Sequence, residues 1–235
     1  MNMPLNTSAN TSDPVAQARF NMIEQQIRPW DVLDPDVLDA LAVVRREDFV
    51  PAAYRGMAFM DTEIPLREDD AEGAMRQGQC MLAPRVEARL LQDLQLQPTD
   101  RVLEVGAGSG YMAALLAHRA KEVVTLDIDP AMADLARGNL QRAGVQNVEV
   151  RHADGSKGAD GTFDVILLSG SVADLPQTLL ALLNQGGRLA VVVGSDPMMR
   201  ATFVRREGDR FESTQPWDVV VPRLLNFPEP SRFVF

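Results

Sequence analysis

The fold of this chain is decided by residues 101–110, RVLEVGAGSG. The first five of these residues are mostly apolar, and two of them are β-branched, which predicts a short buried strand. Glycines at positions 106, 108 and 110 then predict a tight turn, because glycine adopts backbone angles that other residues avoid. The next ten residues, YMAALLAHRA, predict a helix. A strand that runs through a glycine-rich turn into a helix is typical of an open α/β sheet.

Strands and helices continue to alternate after this unit. Strand patterns occupy residues 122–129, 147–154, 163–170 and 188–194, and helix patterns occupy residues 130–144 and 175–187. This alternation predicts βαβ units and a mostly parallel sheet. The pattern changes at residues 201–225, where two alternating runs flank a Gly-Asp pair and predict an antiparallel hairpin. We therefore expect an α/β domain over residues 96–235.

The first ninety or so residues do not alternate in this way. Helix patterns begin at Pro14, at Pro35 with Asp34 as its cap, and at Pro84. In the first of these, residues 14–27, apolar side chains recur near one face: Val15, Phe20, Ile23 and Ile27. We expect residues 14–95 to form a helical, loop-rich lid or substrate segment that makes one compact unit with the sheet. The polar residues 1–13 are expected to form a disordered tail.

Composition excludes several classes of protein. The chain has 235 residues, one cysteine and two histidines, which argues against a disulfide framework and against a structural metal site. A net charge of −10 argues against binding to nucleic acid or to an anionic membrane surface. No apolar run approaches the roughly 18–20 residues of a membrane span. We expect a cytoplasmic protein, and the sequence does not indicate its oligomeric state.

The spacing of the glycines helps to identify the class of ligand that the turn would bind. A dinucleotide fingerprint requires a glycine at position 111, where this chain has Tyr111. The spacing is instead G-x-G-x-G, with Glu104 just before it, a form associated with S-adenosylmethionine sites. A tight turn that binds no ligand is the alternative. The antiparallel hairpin predicted at the C-terminal end of the sheet also favours the methyltransferase variant of the fold over the dehydrogenase variant.

Two further strand ends carry acidic residues. Asp127 ends the second strand, 21 residues after Gly106, where a carboxylate can accept hydrogen bonds from ribose hydroxyls. A helix cap is the alternative role there, and it fits Asp129 better. Asp154 and Gly155 follow the third strand, where an aspartate can accept from an adenine amine or merely form an Asx turn.

Beyond the turn, the chain resembles the protein-L-isoaspartate O-methyltransferases, from about Leu41 to Val221. The resemblance is carried by residues 43–66, VVRREDFVPAAYRGMAFMDTEIPL, by GQCMLAP at 78–84 and by LEVGAGSGY at 103–111. Later motifs are HADG at 152–155, FDVILLSGSVADLP at 163–176 and GGRLAVVVG at 186–194.

The resemblance implies a Rossmann-like methyltransferase fold, S-adenosyl-L-methionine as cofactor, and methyl esterification of the α-carboxylate of L-isoaspartyl residues in damaged proteins or peptides. It places a loop over cofactor and acceptor, formed by Gln79, Cys80, Met81 and Leu82. It assigns the following residues to the cofactor: Glu104, Gly106, Gly108, Gly110, Asp127, Asp154 and Gly155.

The chain departs from that family on the acceptor side. The family's loop carries Thr-Ile-Ser, whose serine is its candidate catalytic hydroxyl, whereas Leu82 stands at that position here. The catalytic group is therefore unknown, and Cys80 or Arg85 are hypotheses for a replacement donor. Residues 67–76 also form a longer acidic stretch than the family's link, of unknown role. Two alternatives stay open: a methyltransferase for another carboxylate or a small molecule, and a non-catalytic homologue that binds the cofactor.

Overall fold

The computed structural model describes residues 13–229, so all but the last residue of the expected N-terminal tail lies outside it. Its helices are α1 Pro14–Met22, α2 Pro35–Val43, α3 Ala71–Arg76, α4 Pro84–Leu94, α5 Tyr111–Arg119, α6 Pro130–Arg142 and α7 Gln177–Leu180. Its strands are β1 Ile64–Pro65, β2 Cys80–Met81, β3 Arg101–Val105, β4 Glu122–Asp127, β5 Val148–His152, β6 Phe163–Val172, β7 Leu183–Ser195, β8 Met198–Glu207 and β9 Arg210–Asp218. No helix within residues 13–229 is long and apolar enough to cross a bilayer.

The main sheet has seven strands in the order β5-β4-β3-β6-β7-β8-β9. The strands from β5 to β7 pair in parallel, and β8 and β9 pair antiparallel, as the sequence predicts. The chain extends the sheet from β3 towards β5 and then returns to place β6 on the other side of β3. Open α/β sheets bind ligands at the carboxyl ends of the strands beside such a reversal.

The helix expected over residues 175–187 is wrong in its second half, because α7 ends at Leu180. Leu183 already pairs with Phe163 of β6, and the sheet absorbs residues 184–187 through an irregularity in the register between β6 and β7. Gly186 and Gly187, which the sequence predicts to close this helix, lie instead within β7. Strand pairing therefore overrides the helical pattern of the preceding leucines.

The first helix differs from its predicted face. It passes at Ile23 into a π-helical segment, Ile23–Ile27, whose wider turn changes which residues point inward. Met22, Ile23 and Ile27 are buried, whereas Val15 and Phe20 are about 40% exposed. The predicted cap of α2 is confirmed, since Asp34 accepts from the Asp36 amide at 2.9 Å.

One apolar cluster joins the N-terminal segment to the sheet, so residues 14–95 share their core with the α/β part. Inside this cluster, Arg46 is fully buried and forms an ion pair with Glu87 of α4. Its guanidinium also donates to the carbonyls of Leu82, at 2.7 Å, and Ala58, at 3.1 Å, and lies 4.9 Å from the ring centroid of Tyr111. Arg46 thus holds α4 to the rest of the N-terminal segment and contacts the start of α5.

Candidate active site

A cavity of about 330 Å³ lies at the carboxyl edge of β3, β4 and β6. The strand ends and the glycine-rich turn form its floor, and residues 76–80 and a C-terminal segment form its sides. It is lined by Arg76, Gln77, Gly78, Gln79, Cys80, Val105, Gly106, Gly108, Leu126, Asp127, Ile128, Asp129, Met132, Ala153, Gly155, Ser169, Arg223, Leu224, Leu225 and Phe227. We call it the cofactor cavity.

The three glycines of the turn have different roles. Gly106 and Gly108 line the cofactor cavity with φ of +98° and +49°, so their backbone faces the cavity without side chains. Gly110, with φ of +83°, is the N-cap of α5 and does not line the cavity. A Cβ added there would lie 3.1 Å from the carbonyl oxygen of Ala136 in α6. Two glycines therefore shape the cavity, and the third lets two helices pack closely.

Asp127 lines the cavity at the end of β4 and organises the glycine turn. Its Oδ2 accepts from the Gly108 amide at 2.9 Å, and its Oδ1 accepts from the Asp129 amide at 3.0 Å. Burial raises the pKa of the Asp127 carboxyl. Asp129, as the sequence favoured, is the cap of α6 and accepts from the Ala131 amide at 2.8 Å.

Glu104 lies beneath the cavity and does not line it. The side chain is fully buried and accepts from Thr125 Oγ1 at 2.7 Å and from Ser169 Oγ at 2.8 Å, which links β3 to both neighbouring strands. Burial raises the pKa of this carboxyl to about 8. Both of its oxygens are engaged inside the protein, so the structure does not bring Glu104 together with the other predicted cofactor residues.

Of the neighbouring residues Asp154 and Gly155, only Gly155 lines the cofactor cavity. Asp154 Oδ1 accepts from the Ser156 amide at 3.1 Å, and its Oδ2 accepts from Asn226 Nδ2 at 3.0 Å. The hydrogen bond from the Ser156 side chain is the main cause that lowers the pKa of Asp154. This carboxylate is outside the cavity lining, whereas Gly155 is part of it. A Cβ at Gly155 would lie 2.3 Å from Val105 Cγ1, so close packing already requires a glycine.

Residues 78–83, which we call the Gln79 loop, separate the cofactor cavity from a second cavity. Gln79 Nε2 donates to Asp129 Oδ2 at 2.6 Å, and its buried Oε1 has no partner within the described part of the chain. Cys80 lines the cofactor cavity, and burial raises the pKa of its thiol to about 12, so it stays protonated at neutral pH. The thiol is therefore a poor nucleophile.

Met81 and Leu82 belong to the apolar core and line neither cavity. Leu82 is 5% exposed, and its carbonyl is held by Arg46. The β1–β2 pairing of Ile64 with Met81 fixes this part of the loop. The position of the family's serine is consequently filled here by a packed leucine side chain.

The second cavity, of about 440 Å³, contains Arg85, and we call it the tryptophan cavity after Trp30 and Trp217 in its wall. Arg85 forms an ion pair with Asp61, and its guanidinium carbon lies 4.3 Å from the ring centroid of Trp30. Arg85 lines this cavity and not the cofactor cavity. Its positive charge is already paired with a carboxylate, so Arg85 is less available as a replacement donor.

Sequence reasoning missed the segment at residues 219–227, which follows the hairpin and crosses the carboxyl edge of the sheet. The Ser171 amide donates to the Pro222 carbonyl at 2.8 Å, and the Leu224 amide donates to the Ser171 carbonyl at 2.9 Å. Its first three residues line the tryptophan cavity, and Arg223, Leu224 and Phe227 line the cofactor cavity. Pro222 was the available signal, because proline interrupts strand pairing.

The structure also places the acidic stretch at residues 67–76 and the two histidines. The acidic stretch over residues 67–76 ends in the short helix α3, which is capped by Asp70, and Arg76 at its end reaches the cofactor cavity. His118 lies 3.2 Å from Asp39, and His152 lies 3.1 Å from the Ile128 carbonyl. Neither histidine lines the two cavities.

The cofactor cavity fits an S-adenosylmethionine-type ligand on three observations. Gly106 and Gly108 line the cavity with bare backbone, and an added Cβ would lie only 3.2 Å from Leu224 or 3.3 Å from Leu66. Asp127 places a carboxylate at the adjacent strand end. The buried Oε1 of Gln79 is an acceptor without a partner in residues 13–229, and a ligand hydroxyl or amine would satisfy it.

The fold is that of the Rossmann-like methyltransferases, and the family match described next makes the chain an S-adenosylmethionine-dependent methyltransferase. The profile of the protein-L-isoaspartate(D-aspartate) O-methyltransferase family matches residues 17–221. The chain belongs to this family.

Curated relatives agree with this assignment, and solved structures share the fold. The protein-L-isoaspartate O-methyltransferase of Koribacter versatilis is 39% identical over 199 residues, which cover 84% of this chain and 86% of the relative. That of Methanoregula boonei is 38% identical over 203 residues, covering 86% and 89%. A solved protein-L-isoaspartate O-methyltransferase aligns with a TM-score of 0.74 at 21% identity, over 89% of this chain and 65% of the other. A Plasmodium falciparum protein in complex with S-adenosyl-L-homocysteine aligns with a TM-score of 0.69 at 19% identity, over 88% and 96%.

Proposed function

We propose that this protein transfers the methyl group of S-adenosylmethionine to the α-carboxylate of L-isoaspartyl residues in damaged proteins. Family membership supports the reaction and the acceptor. One observation carries the proposal for this chain: the Gln79 loop and the segment at residues 219–227 each line both cavities. An acceptor in the tryptophan cavity would therefore lie beside the cofactor, with these two segments as the shared walls. We also propose that the enzyme works in the cytoplasm, where a chain with a single cysteine suits the reducing conditions.

Gly106, Gly108, Asp127 and Gln79 would hold the cofactor. The two glycines allow close approach to the backbone, Asp127 offers a carboxylate to hydroxyl groups, and Gln79 offers its free Oε1. When bound, the cofactor supplies a methyl group on a positively charged sulfur. We propose that residues 14–95 serve as the substrate segment, because they supply Trp30, the Gln79 loop and most of the tryptophan cavity.

The chain needs no general base for this reaction. An α-carboxylate has a pKa of about 3.3–3.7, so at neutral pH it is already an anionic nucleophile. The positions of His118 and His152 outside both cavities agree with this. Positioning of the acceptor by the cavity walls is then the main contribution of the protein, and positioning is worth roughly 7–11 kcal/mol when the geometry is right.

The packed Leu82 predicts a slower enzyme than a serine-containing relative. A hydroxyl bonded to a carboxylate is worth about 1.5–3 kcal/mol, so its absence costs roughly ten- to 150-fold in rate. Cys80 is a weak donor and Arg85 is paired with Asp61, so neither side chain fully replaces the hydroxyl. We expect turnover that is low but measurable.

The test is methyl incorporation from labelled S-adenosylmethionine into an L-isoaspartyl peptide and into the same peptide with normal aspartate. We expect methylation of the isoaspartyl peptide alone, and loss of it in Gly108→Val, whose side chain would press on Leu66 and displace the wall of the cofactor cavity. Calorimetric titration with S-adenosylhomocysteine is run in parallel. Binding of S-adenosylhomocysteine without methylation of either peptide would contradict the proposal and favour the non-catalytic homologue. Methylation of a different carboxylate would favour the alternative acceptor.

A further inference from the structure

Glu63 presents an unbalanced negative charge at the tryptophan cavity. Its side chain is partly buried and lines this cavity. Across residues 13–229, its carboxylate has no hydrogen-bond donor and no cationic partner. A carboxylate that loses part of its hydration without gaining a partner carries a free-energy cost, which a bound cation would relieve.

The other charged residues in the wall of this cavity already have partners. Arg85 pairs with Asp61, and Arg89 pairs with Asp93 at 3.1 Å. Asp218, at the end of β9, pairs with Arg200 at 3.0 Å. Among the charged residues of this wall, Glu63 is therefore the one whose carboxylate has no partner within residues 13–229.

Glu63 lies on the side of the tryptophan cavity next to the Gln79 loop, so the acceptor's own α-carboxylate would have to bind away from it. It directly precedes Ile64, which pairs with Met81 next to Cys80. Pro65, two residues after Glu63, pairs with Cys80 itself. Cys80 lines the cofactor cavity, whereas Glu63 lines the tryptophan cavity. The carboxylate therefore stands at the boundary between the two cavities.

We propose that Glu63 is a specificity-determining residue that makes the enzyme prefer isoaspartyl sites with a lysine or arginine as the neighbouring residue and disfavour sites with an acidic neighbour. This inference rests on the proposed function and names its substrate class. Burial raises the pKa of the Glu63 carboxyl, and a cationic side chain in the cavity would offset that effect. An acidic side chain there would face like-charge repulsion in a partly dehydrated space.

The experiment compares three L-isoaspartyl peptides that differ only in the residue after the isoaspartate, which is Lys, Gln or Glu. For the wild type we expect kcat/KM to be about tenfold higher for the Lys peptide than for the Glu peptide, in the range of a partly buried ion pair, with the difference in KM. In Glu63→Gln this ratio should fall to about threefold or less. Glu63→Asp, which keeps the charge, should keep most of the ratio, and Glu212→Gln, an exposed change on β9, should leave it intact.

Equal ratios in the wild type and in Glu63→Gln would overturn the proposal, as would a ratio expressed only in kcat. If the wild type methylates none of the three peptides, the proposed function fails, and binding then tests Glu63 separately. The peptides are titrated against the protein saturated with S-adenosylhomocysteine while tryptophan fluorescence is followed, since Trp30 and Trp217 line the cavity. Tighter binding of the Lys peptide to the wild type, lost in Glu63→Gln, supports the inference, and equal affinities of the wild type for all three peptides overturn it.

Discussion

Gln79 Nε2 donates a hydrogen bond to Asp129 Oδ2 across 2.6 Å, although 50 residues separate them in the chain. This bond joins the Gln79 loop to the start of α6, next to Asp127 at the end of β4. One amide therefore joins the Gln79 loop to the strand ends that line the cofactor cavity. Because the other atom of this amide, Oε1, has no partner within residues 13–229, the amide is poised to bind a ligand as well as to hold the loop.

Gln79→Ala should weaken the binding of S-adenosylhomocysteine about tenfold. The substitution removes the bond to Asp129 and the unpartnered acceptor, and one such hydrogen bond is worth about 1 kcal/mol or somewhat more. Calorimetric titration measures the change. Gln146→Ala, at an exposed position outside the cavity, is the control. An unchanged dissociation constant for Gln79→Ala would remove Gln79 from the cofactor site.

The glycines of the turn should give different phenotypes. Gly108→Ala should reduce affinity for S-adenosylhomocysteine as well as cost about 1 kcal/mol of backbone strain, because Gly108 lines the cavity with φ of +49° and its Cβ would lie 3.3 Å from Leu66. Gly110→Ala should mainly reduce stability, by about 2–3 kcal/mol, since a left-handed backbone is strained for alanine and the Cβ would press on Ala136. Urea denaturation and calorimetry separate the two effects.

A matched control for Gly110 is available at Gly144. Its φ of +73° is similar, and nothing lies within 4 Å of an added Cβ. Gly144→Ala therefore reports the backbone strain alone, about 1 kcal/mol. If both variants lose the same stability, the contact between α5 and α6 is not what requires glycine at position 110.

Removing one partner of the buried Arg46–Glu87 ion pair should be strongly destabilising. Arg46→Met leaves the Glu87 carboxylate buried without its cation, and such changes cost about 3–5 kcal/mol of unfolding free energy. The double variant Arg46→Met, Glu87→Leu should be more stable than Arg46→Met, because no uncompensated charge remains. Denaturant titration of the wild type, of Arg46→Met, of Glu87→Leu and of the double variant completes a double-mutant cycle. Glu72→Ala, which removes the exposed pair with Arg76, should cost less than about 0.5 kcal/mol.

Glu104 should make stability depend on pH. Burial raises its pKa from 4.5 to about 8, so the folded state binds this proton more tightly than the unfolded state. The stabilisation that comes from the protonated Glu104 is fully present below pH 4.5 and is lost as the pH rises to about 8. Glu104→Gln cannot ionise, so its stability relative to the wild type should increase by about 3 kcal/mol between pH 5 and pH 8. Thermal unfolding across this range measures the difference, which a flat profile would contradict.

The strand-turn-helix pattern predicted the sheet because each element there depends on local residue types. Buried β-branched strands, the prolines at the starts of α4 and α6 and the glycine turn all act within a few residues of themselves, and the structure confirms these elements. The second half of the helix at residues 175–187 was wrong, since Leu183 gains a partner in β6 that no local pattern reveals. The face of α1 was partly wrong because the π-helical segment depends on packing against the core.

The site residues, too, were predicted where local motifs decide their position and missed where packing between segments decides it. Gly106, Gly108, Asp127 and Gly155 were predicted as cofactor residues, and all four line the cofactor cavity, because strand ends of a parallel sheet converge on one edge. Glu104 and Asp154 share the same motifs, yet the structure turns their carboxylates towards Thr125 and Ser156. Side-chain direction depends on which hydrogen-bond donors the neighbouring elements bring close, and a single sequence does not contain that information.

The sequence by itself determined the order of strands and helices, the glycine turn and the family. These features follow from backbone preferences, from the periodicity of apolar residues and from local motifs. Only the tertiary structure decided that Leu82 packs in the core, that residues 219–227 cross both cavities, and that Glu63 stands without a cationic partner among residues 13–229. The reason is physical: burial, charge pairing and cavity walls arise from contacts between segments that are far apart in the chain.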